Sequence, residues 1–457
     1  MPDEDQVLSE DVLFQLDEIA GTELLVGIPS YNTEDTIEHV VTAVEGGLRK
    51  HFPDLKAVIC ISDGGSTDRT LAVAQKATIG NAYERLLVNP NTAIPQKLCL
   101  QYRGTPGKGS AFRSIFEVAT RLGASACAVV DADLRSITPY WIDRLLRPVV
   151  DSGCEYVAPV YSRHKYDGTI TNSIAYPLTT ALYGTRIRQP IGGEFAFSGD
   201  LAKRYASTDA WDSDVARFGI DIWMTTLAIV EGYRTCQTIL GAKIHAPKDP
   251  GSDLGPMFRQ VVGSLFALAG QYAEQWQRID SIEVPQTFGY RAAYSAEPIK
   301  VSVSRLTWRF VEGYVRHQQL WEKVLSEESL AGVRTAVGEA ADKTSGLVVD
   351  ADLWTKIFYD FLIAYNAREV DPGSLLDSLI PLYFARTATF VQEARDDTPE
   401  QAEQRVEEAV DTAVQLKPYL KRRWKKLKVR ARTLQEQPVP EEGEEEGFEG
   451  ALETETK

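Results

Sequence analysis

Apolar residues follow two rhythms along this chain. Runs such as Glu23-Leu-Leu-Val-Gly-Ile28, Lys56-Ala-Val-Ile-Cys-Ile-Ser62, Arg85-Leu-Leu-Val88 and Ala124-Ser-Ala-Cys-Ala-Val-Val130 are continuous, as in strands covered on both faces. Between them apolar residues recur every three or four positions. Ile37, Val40, Val41, Val44 and Leu48 fall on one side of a helix, and further helices are predicted over 70–77 and 110–122. An acidic lead-in helix is expected within residues 1–20. Residues 222–230 read as an apolar helix and 236–240 as a strand. Strands alternating with helices predict right-handed βαβ units and an α/β fold with a mostly parallel sheet.

Beyond residue 250 the strand signal fades. Segments 256–278, 303–326, 351–367, 373–395 and 400–428 show helical spacing, as in Leu353, Ile357, Phe358, Phe361, Leu362 and Tyr365. The expected organisation is a lead-in over 1–20, an α/β domain over 21–250, a helical region over 251–435 and an acidic tail over 436–457. The tail, with Glu441-Glu-Gly-Glu-Glu-Glu446, has the composition of a disordered segment. The basic run Lys421-Arg-Arg-Trp-Lys-Lys-Leu-Lys-Val-Arg430 reads most plainly as a solvated helix end balancing that tail. Contact with an anionic membrane is the alternative.

Composition narrows the class. The 457 residues suffice for two domains, and 44% hydrophobic with 25% charged residues is ordinary for a soluble globular protein. A net charge of −16 argues against a nucleic-acid binder, and an anionic ligand would need local cations or a metal. The acidic start lacks a signal peptide's basic and apolar regions. No apolar run approaches the ~18 residues of a membrane span. Five scattered cysteines without CxxC predict no disulfide frame and a reducing, cytoplasmic location.

Candidate chemistry gathers where strands end. Asp131-Ala132-Asp133 follows the run 124–130. Strand alternation would put residues 131 and 133 on one side, where two carboxylates repel unless a cation such as Mg²⁺ or Mn²⁺ lies between them. A chance or capping pair is the plainer explanation. Asp63-Gly-Gly-Ser-Thr-Asp68 is either a capped turn or a ligand loop in which Asp63 accepts from a base or ribose. Lys108, in Gly104-Thr-Pro-Gly-Lys-Gly109 at a helix start, suits a phosphate. Neither glycine-rich stretch is a P-loop or GxGxxG. In Gln189-Pro-Ile-Gly-Gly-Glu-Phe195, Glu194 is a buried structural acceptor or a sugar-hydroxyl acceptor. Asp221 is a helix N-cap or a site acid, and His245 a structural histidine or a metal ligand.

Taken in order, Ile28-Pro-Ser-Tyr-Asn32, Ser62-Asp-Gly-Gly-Ser-Thr-Asp68, Pro106-Gly-Lys-Gly109, Asp131-Ala-Asp133, Gln189-Pro-Ile-Gly-Gly-Glu194, Gly219-Ile-Asp221 and His245 resemble the retaining GT-A glycosyltransferases of the mannosylglycerate and glucosylglycerate synthase type, relatives of glucosyl-3-phosphoglycerate synthase. The resemblance runs from about Leu24 to about Arg278. It implies a Rossmann-like GT-A fold and a hexosyltransferase for compatible-solute biosynthesis. It would move glucose or mannose from a GDP- or UDP-sugar to D-glycerate or 3-phosphoglycerate, with Mg²⁺ or Mn²⁺. By the same resemblance Asp131, Asp133 and His245 would hold the metal. Pro29, Tyr31, Asn32, Asp63, Lys108, Gly109, Asp131 and Gly193 would bind the donor, and Arg163 and Thr171 the acceptor. Glu194 and Asp221 would surround the hexose as the catalytic carboxylates. Further cations for a phosphorylated acceptor would come from His164, Lys165 and Arg186 or Arg188. The loop after His245 lacks the family's arginine or tyrosine. Front-side attack and double displacement stay open as routes to retention. An inverting transferase is the competing enzyme reading, but QxxRW is missing. A non-catalytic scaffold is the reading from another class. A homodimer through the helical region is an expectation without a motif.

Overall fold

The structure is a computed structural model that describes residues 7–77, 94–103, 105–213, 215, 217, 219–244, 255–290, 299–341 and 347–427. The continuous apolar runs become strands: β1 (Leu24–Ser30), β2 (Ala57–Asp63), β3 (Gln96–Gln101), β4 (Ala126–Val129), β5 (Tyr156–Ser162), β6 (Phe195–Ser198), β7 (Thr235–Ala242) and β8 (Thr287–Phe288). They form one sheet in the order β3-β2-β1-β4-β6-β5-β7-β8. Every pair is parallel except those of β6, which runs antiparallel to β4 and β5. The third strand is β3; the expected strand at 85–88 lies outside the described residues. β3 escaped notice because it is an edge strand with exposed Gln96 and Gln101 and no continuous apolar run.

Helices cover both faces. On one lie α2 (Ile37–His51) and α5 (Pro139–Ser152), whose Val40, Val44, Ile142 and Leu145 pack with Leu24, Val26 and Ile28. On the other lies α4 (Lys108–Arg121), whose Phe112, Ile115 and Phe116 pack with Leu25, Val58 and Cys60. The alternation of β1 thus divides two apolar layers. Gly27 permits the close approach of α4: a Cβ there would lie 2.5 Å from Ile115 Cγ2. The remaining helices of this part are α1 (Glu10–Ile19), α3 (Thr70–Lys76), α6 (Tyr176–Tyr183), α7 (Gly199–Ala206) and α8 (Ile220–Val230). A π-helical turn, Thr171–Ala175, leads into α6.

The helical region follows: α9 (Gly255–Gln271), α10 (Ala273–Trp276), α11 (Val303–Val324), α12 (Glu327–Ala341), α13 (Ala351–Ala367), α14 (Pro372–Glu393), α15 (Pro399–Gln415) and α16 (Lys417–Trp424). Side-chain caps mark several starts, among them Asp350 on Leu353 N–H and a capping box between Thr398 and Gln401. The spacing missed α12, and it missed β8, which extends the sheet into a stretch expected to be helical. Lys421 pairs with Asp280 at 2.7 Å and Arg423 with Asp360 at 3.0 Å, so the start of the basic run docks on acids of the fold. The acidic tail lies outside the described residues.

Charge ties the two parts together. Lys165 Nζ donates to the carbonyls of Ala394, Arg395 and Asp397 at 2.6, 2.8 and 2.9 Å. Arg186 pairs with Glu407 at 2.6 Å and with Asp411, and Arg188 with Glu403 at 2.7 Å. One expectation is overturned: Cys154 and Cys236 form a disulfide. They stand 82 residues apart, so only the pairing of β5 with β7 brings them together. No helix among the described residues is long and apolar enough to cross a membrane.

Candidate active site

Parallel strands bring their carboxyl ends to one edge, and loops there are the usual place for a ligand. β1 ends at Ser30, β2 at Asp63, β5 just before Arg163 and β7 just before Lys243. Because β6 is reversed, its start lies at this same edge and carries Gly193 and Glu194 there. The first residue of α4, Lys108, and the second of α8, Asp221, complete the group.

These side chains form one buried chain of alternating charge. Lys108 Nζ is 2.8 Å from Asp131 Oδ1 and 3.2 Å from Asp221 Oδ1. Lys243 Nζ is 3.0 Å from Asp131 Oδ2 and 2.9 Å from both Glu194 oxygens, and it donates to the Gly192 carbonyl at 2.9 Å. Tyr161 OH donates to Glu194 Oε2 and to the Gly192 carbonyl. Gly193 has φ +89°, and a Cβ there would lie 2.2 Å from Asp131 Oδ2 and 2.8 Å from Lys243 Nζ. Glycine is therefore required by conformation and by space.

Burial sets the protonation. It pushes Glu194 up to about 7, with Asp131 adding to the rise and Lys243 opposing it. Burial also raises Asp221, against the pull of Lys108. For Asp131 burial is outweighed by Lys108 and Lys243, which hold its carboxyl well below the usual range. Burial opposes the charge on both lysines, yet Asp131 with Asp221 raises Lys108, and Glu194 with Asp131 raises Lys243. The cluster is thus two firm cations, one firm anion and two carboxyls poised toward neutrality.

Two expectations about carboxylates change. β4 ends at Val129 and residues 131–133 turn, so strand alternation does not apply to the Asp-x-Asp pair. Asp131 spends both oxygens on lysines, whereas Asp133 has no hydrogen bond or ion pair with any described residue. Asp221 is not an N-cap: Gly219 holds that position, and the Asp221 carboxylate turns to Lys108. His245 lies outside the described residues. Among those described, no three His, Cys, Asp or Glu side chains are grouped to hold a metal.

The residues expected to bind the donor divide by role in the fold. Asp63 is buried and accepts from Ser30 Oγ, Ser66 Oγ, Gly65 N–H and Ser66 N–H, so it organises its own loop. Asn32 takes the Thr67 N–H on its side chain and gives its own N–H to Ser66 Oγ, locking the loops after β1 and β2 together. Pro29 sits within β1, and the Gly109 N–H goes to the Arg217 carbonyl. Tyr31 is 60% exposed and lies over Gly64, where a Cβ would sit 3.2 Å from its ring. Arg163 and Thr171 both border Gly168: a Cβ there would meet Arg163 Nη1 at 3.2 Å and Thr171 Oγ1 at 4.0 Å. Arg163 leans on the Tyr161 ring at 4.7 Å and has Asp167 only at 3.8 Å. The further cations Lys165, Arg186 and Arg188 are engaged by the helical region.

Residues 25–198 match the family described as glycosyl transferase family 2. The chain carries a glycosyltransferase domain. Its fold is GT-A, with the helical region appended. No curated protein matches the chain. Among solved structures, glucosyl-3-phosphoglycerate synthase from Mycobacterium tuberculosis, crystallised with Mn²⁺, uridine diphosphate and phosphoglyceric acid, is 24% identical over 56% of this chain and 82% of that one, with a TM-score of 0.40. The same enzyme with Mn²⁺, UDP-glucose and glycerol 3-phosphate is 23% identical over 56% and 84%, also at 0.40. The match to the glycosyltransferase family takes in Lys108, Asp131, Tyr161 and Glu194 of the buried cluster, while Asp221 and Lys243 follow it. Lys243 and Tyr161 were missed from sequence. Lys243 directly follows a strand at the carboxyl edge of the sheet, but a lysine in that position has no local feature that sets it apart from a solvated one.

Proposed function

We propose that the protein is a metal-dependent retaining hexosyltransferase that moves glucose or mannose from a nucleotide-diphosphate sugar to D-glycerate. The observation that carries this reading is the buried Lys108–Asp131–Lys243–Glu194 chain, with Asp221, at the sheet edge of a glycosyltransferase domain. Lysines held charged at the carboxyl edge of the sheet are suited to the anionic diphosphate. Glu194 and Asp221, poised toward neutrality, are suited to hydrogen-bond sugar hydroxyls and to hold a proton at the reacting centre.

A divalent cation, Mg²⁺ or Mn²⁺, fits at Asp133, the one carboxylate of the Asp-x-Asp pair without a described partner. It would neutralise charge on the departing diphosphate. Tyr31, exposed beside the Asp63 loop, offers a face for a base to stack on. The acceptor carboxylate would meet Arg163, whose Nε has no hydrogen-bond partner among the described residues, and Thr171. The unphosphorylated acceptor is favoured because Lys165, Arg186 and Arg188 are already spent on Glu403, Glu407, Asp411 and backbone carbonyls.

The test is a matrix of donors (UDP-glucose, GDP-glucose, GDP-mannose) against acceptors (D-glycerate, 3-phosphoglycerate, glycerol), with products read by mass and anomeric NMR. An α-linked glycosylglycerate supports the reading, and a β-linked product refutes retention. Arg163→Ala should raise the acceptor KM far more than the donor KM. Equal effects on both would remove Arg163 from the acceptor site.

A further inference from the structure

The acceptor candidates Arg163 and Thr171 stand at the two ends of the loop that leaves β5 and enters the π-helical turn. A loop that carries function needs a rigid support. Here much of the support comes from the helical region. Lys165 Nζ spends its three donors on carbonyls at the end of α14, those of Ala394, Arg395 and Asp397 at 2.6, 2.8 and 2.9 Å. Helix ends leave carbonyls without intrahelical partners and carry partial negative charge, so an ammonium suits them.

The rest of the segment is tied the same way. Tyr166 OH donates to the Val391 carbonyl at 3.3 Å, and Thr169 Oγ1 bonds Tyr383 OH, both on α14. Trp354 Nε1 of α13 donates to the Ser173 carbonyl at 2.7 Å, and Tyr176 OH donates to Glu407 of α15 at 3.0 Å. Arg188, which donates to Asn172 Oδ1 at 3.0 Å, is itself paired with Glu403 of α15. Tyr166 and Tyr176 also pack with Phe390, Ala394, Ala402 and Val406, in a small apolar cluster apart from the two layers that cover the sheet. Arg163 makes no such bond among the described residues: it leans on the Tyr161 ring and has Asp167 at 3.8 Å. Arg163 and Thr171 both border Gly168, whose φ of +66° turns the chain between them. Their relative placement is thus set by a turn whose flanks are fixed on α13, α14 and α15.

We propose that the helical region sets the geometry of the acceptor site, with Lys165 as a positioning residue that acts through Arg163 by anchoring their common loop to the end of α14. The positioning role rests on the reading that Arg163 and Thr171 meet the acceptor; the anchoring does not. Releasing Lys165 frees the backbone two residues from Arg163. The bonds of Lys108, Asp131, Glu194 and Lys243 all lie outside 163–171, so the donor side is spared.

Lys165→Met in the full chain tests both parts. Without substrate, amide exchange should quicken at least about tenfold over 164–173 and stay as in wild type over β1 and β2, which also shows that the fold is intact. With D-glycerate, the acceptor KM should rise about ten- to a hundredfold while the donor KM stays within about twofold. Tyr383→Phe, which removes one hydroxyl from α14, should raise the acceptor KM about three- to fivefold. In an Arg163→Ala background Lys165→Met should raise the acceptor KM no further, because it acts through Arg163. Unchanged exchange over 164–173 overturns the anchoring. Faster exchange with an unmoved acceptor KM, equal rises in both KM values, or full additivity with Arg163→Ala overturns the positioning role. Wild-type protein that transfers no sugar overturns the transferase reading and the positioning role together, and the exchange pattern still decides the anchoring.

Discussion

Gly193→Ala is the sharpest perturbation of the buried cluster. Two effects add. At φ +89° an alanine is strained by about 1–3 kcal/mol. Its methyl would also stand 2.2 Å from Asp131 Oδ2, well inside contact distance, and 2.8 Å from Lys243 Nζ. Asp131 cannot yield cheaply, since Lys108 holds one oxygen at 2.8 Å and Lys243 the other at 3.0 Å. Rotating the carboxylate away breaks at least one buried ion pair, worth about 3–5 kcal/mol when one partner is left uncompensated. The expected total is about 4–8 kcal/mol if nothing relaxes, and the lower half if the loop at 189–193 shifts to make room. Urea unfolding should show a loss of at least about 4 kcal/mol. Donor turnover at a temperature where the variant stays folded should fall at least about a hundredfold, because Asp131 and both lysines move together. A variant with near-native stability and turnover within about threefold of wild type would refute the reasoning.

Other perturbations reach different parts of the account. Glu194, raised from 4.5 in its unfolded state to about 7, favours folding in its protonated form. Its contribution is therefore fully present below about pH 4.5 and is lost as pH rises through about 7, by roughly 3 kcal/mol. The stability difference between wild type and Glu194→Gln, followed by urea unfolding from pH 4.5 to 7.5, should shrink by that order, and a flat difference would contradict the buried acid. Asp133→Ala should abolish the dependence of turnover on added Mn²⁺, and an unchanged metal titration would move the cation elsewhere. Reducing the Cys154–Cys236 disulfide, or Cys154→Ser, should lower stability by about 2–4 kcal/mol, the usual range for a link closing a long loop. An unfolding midpoint unaffected by reductant would show that the bond is not formed in solution. Arg188→Ala should remove the ion pair to Glu403 and loosen α15 from the domain, read as faster amide exchange over 399–415.

What could be read in the sequence follows from where the information lies. β1, β2 and β4 are covered on both faces, so continuous apolar runs reveal them. β3 lies at an edge and β8 has only two residues, so neither leaves such a run. The elements between 139 and 206 alternate too quickly for a single period to dominate, and they include a π-helical turn and a reversed strand. α12 buries little beyond Ser329, Val333 and Ala336, so its apolar stripe is thin. At the site, Lys108, Asp131, Glu194 and Asp221 stood out because each sits beside a glycine-rich turn, a strand end or a helix start, and the structure brings all four together. Lys243 did not, because a lysine after a strand looks like any solvated lysine until its neighbours are known. The same holds for the two bonded cysteines, whose proximity depends on strand order and on nothing local.

The most direct measurement offers D-glycerate and 3-phosphoglycerate together, with Mn²⁺ and each nucleotide sugar in turn, and follows the products by mass. Accumulation of an unphosphorylated glycosylglycerate, lost in Lys108→Met, is the expected result. Failure to consume any donor with any divalent metal would contradict a transferase site, and exclusive formation of the phosphorylated product would contradict the acceptor assigned to Arg163.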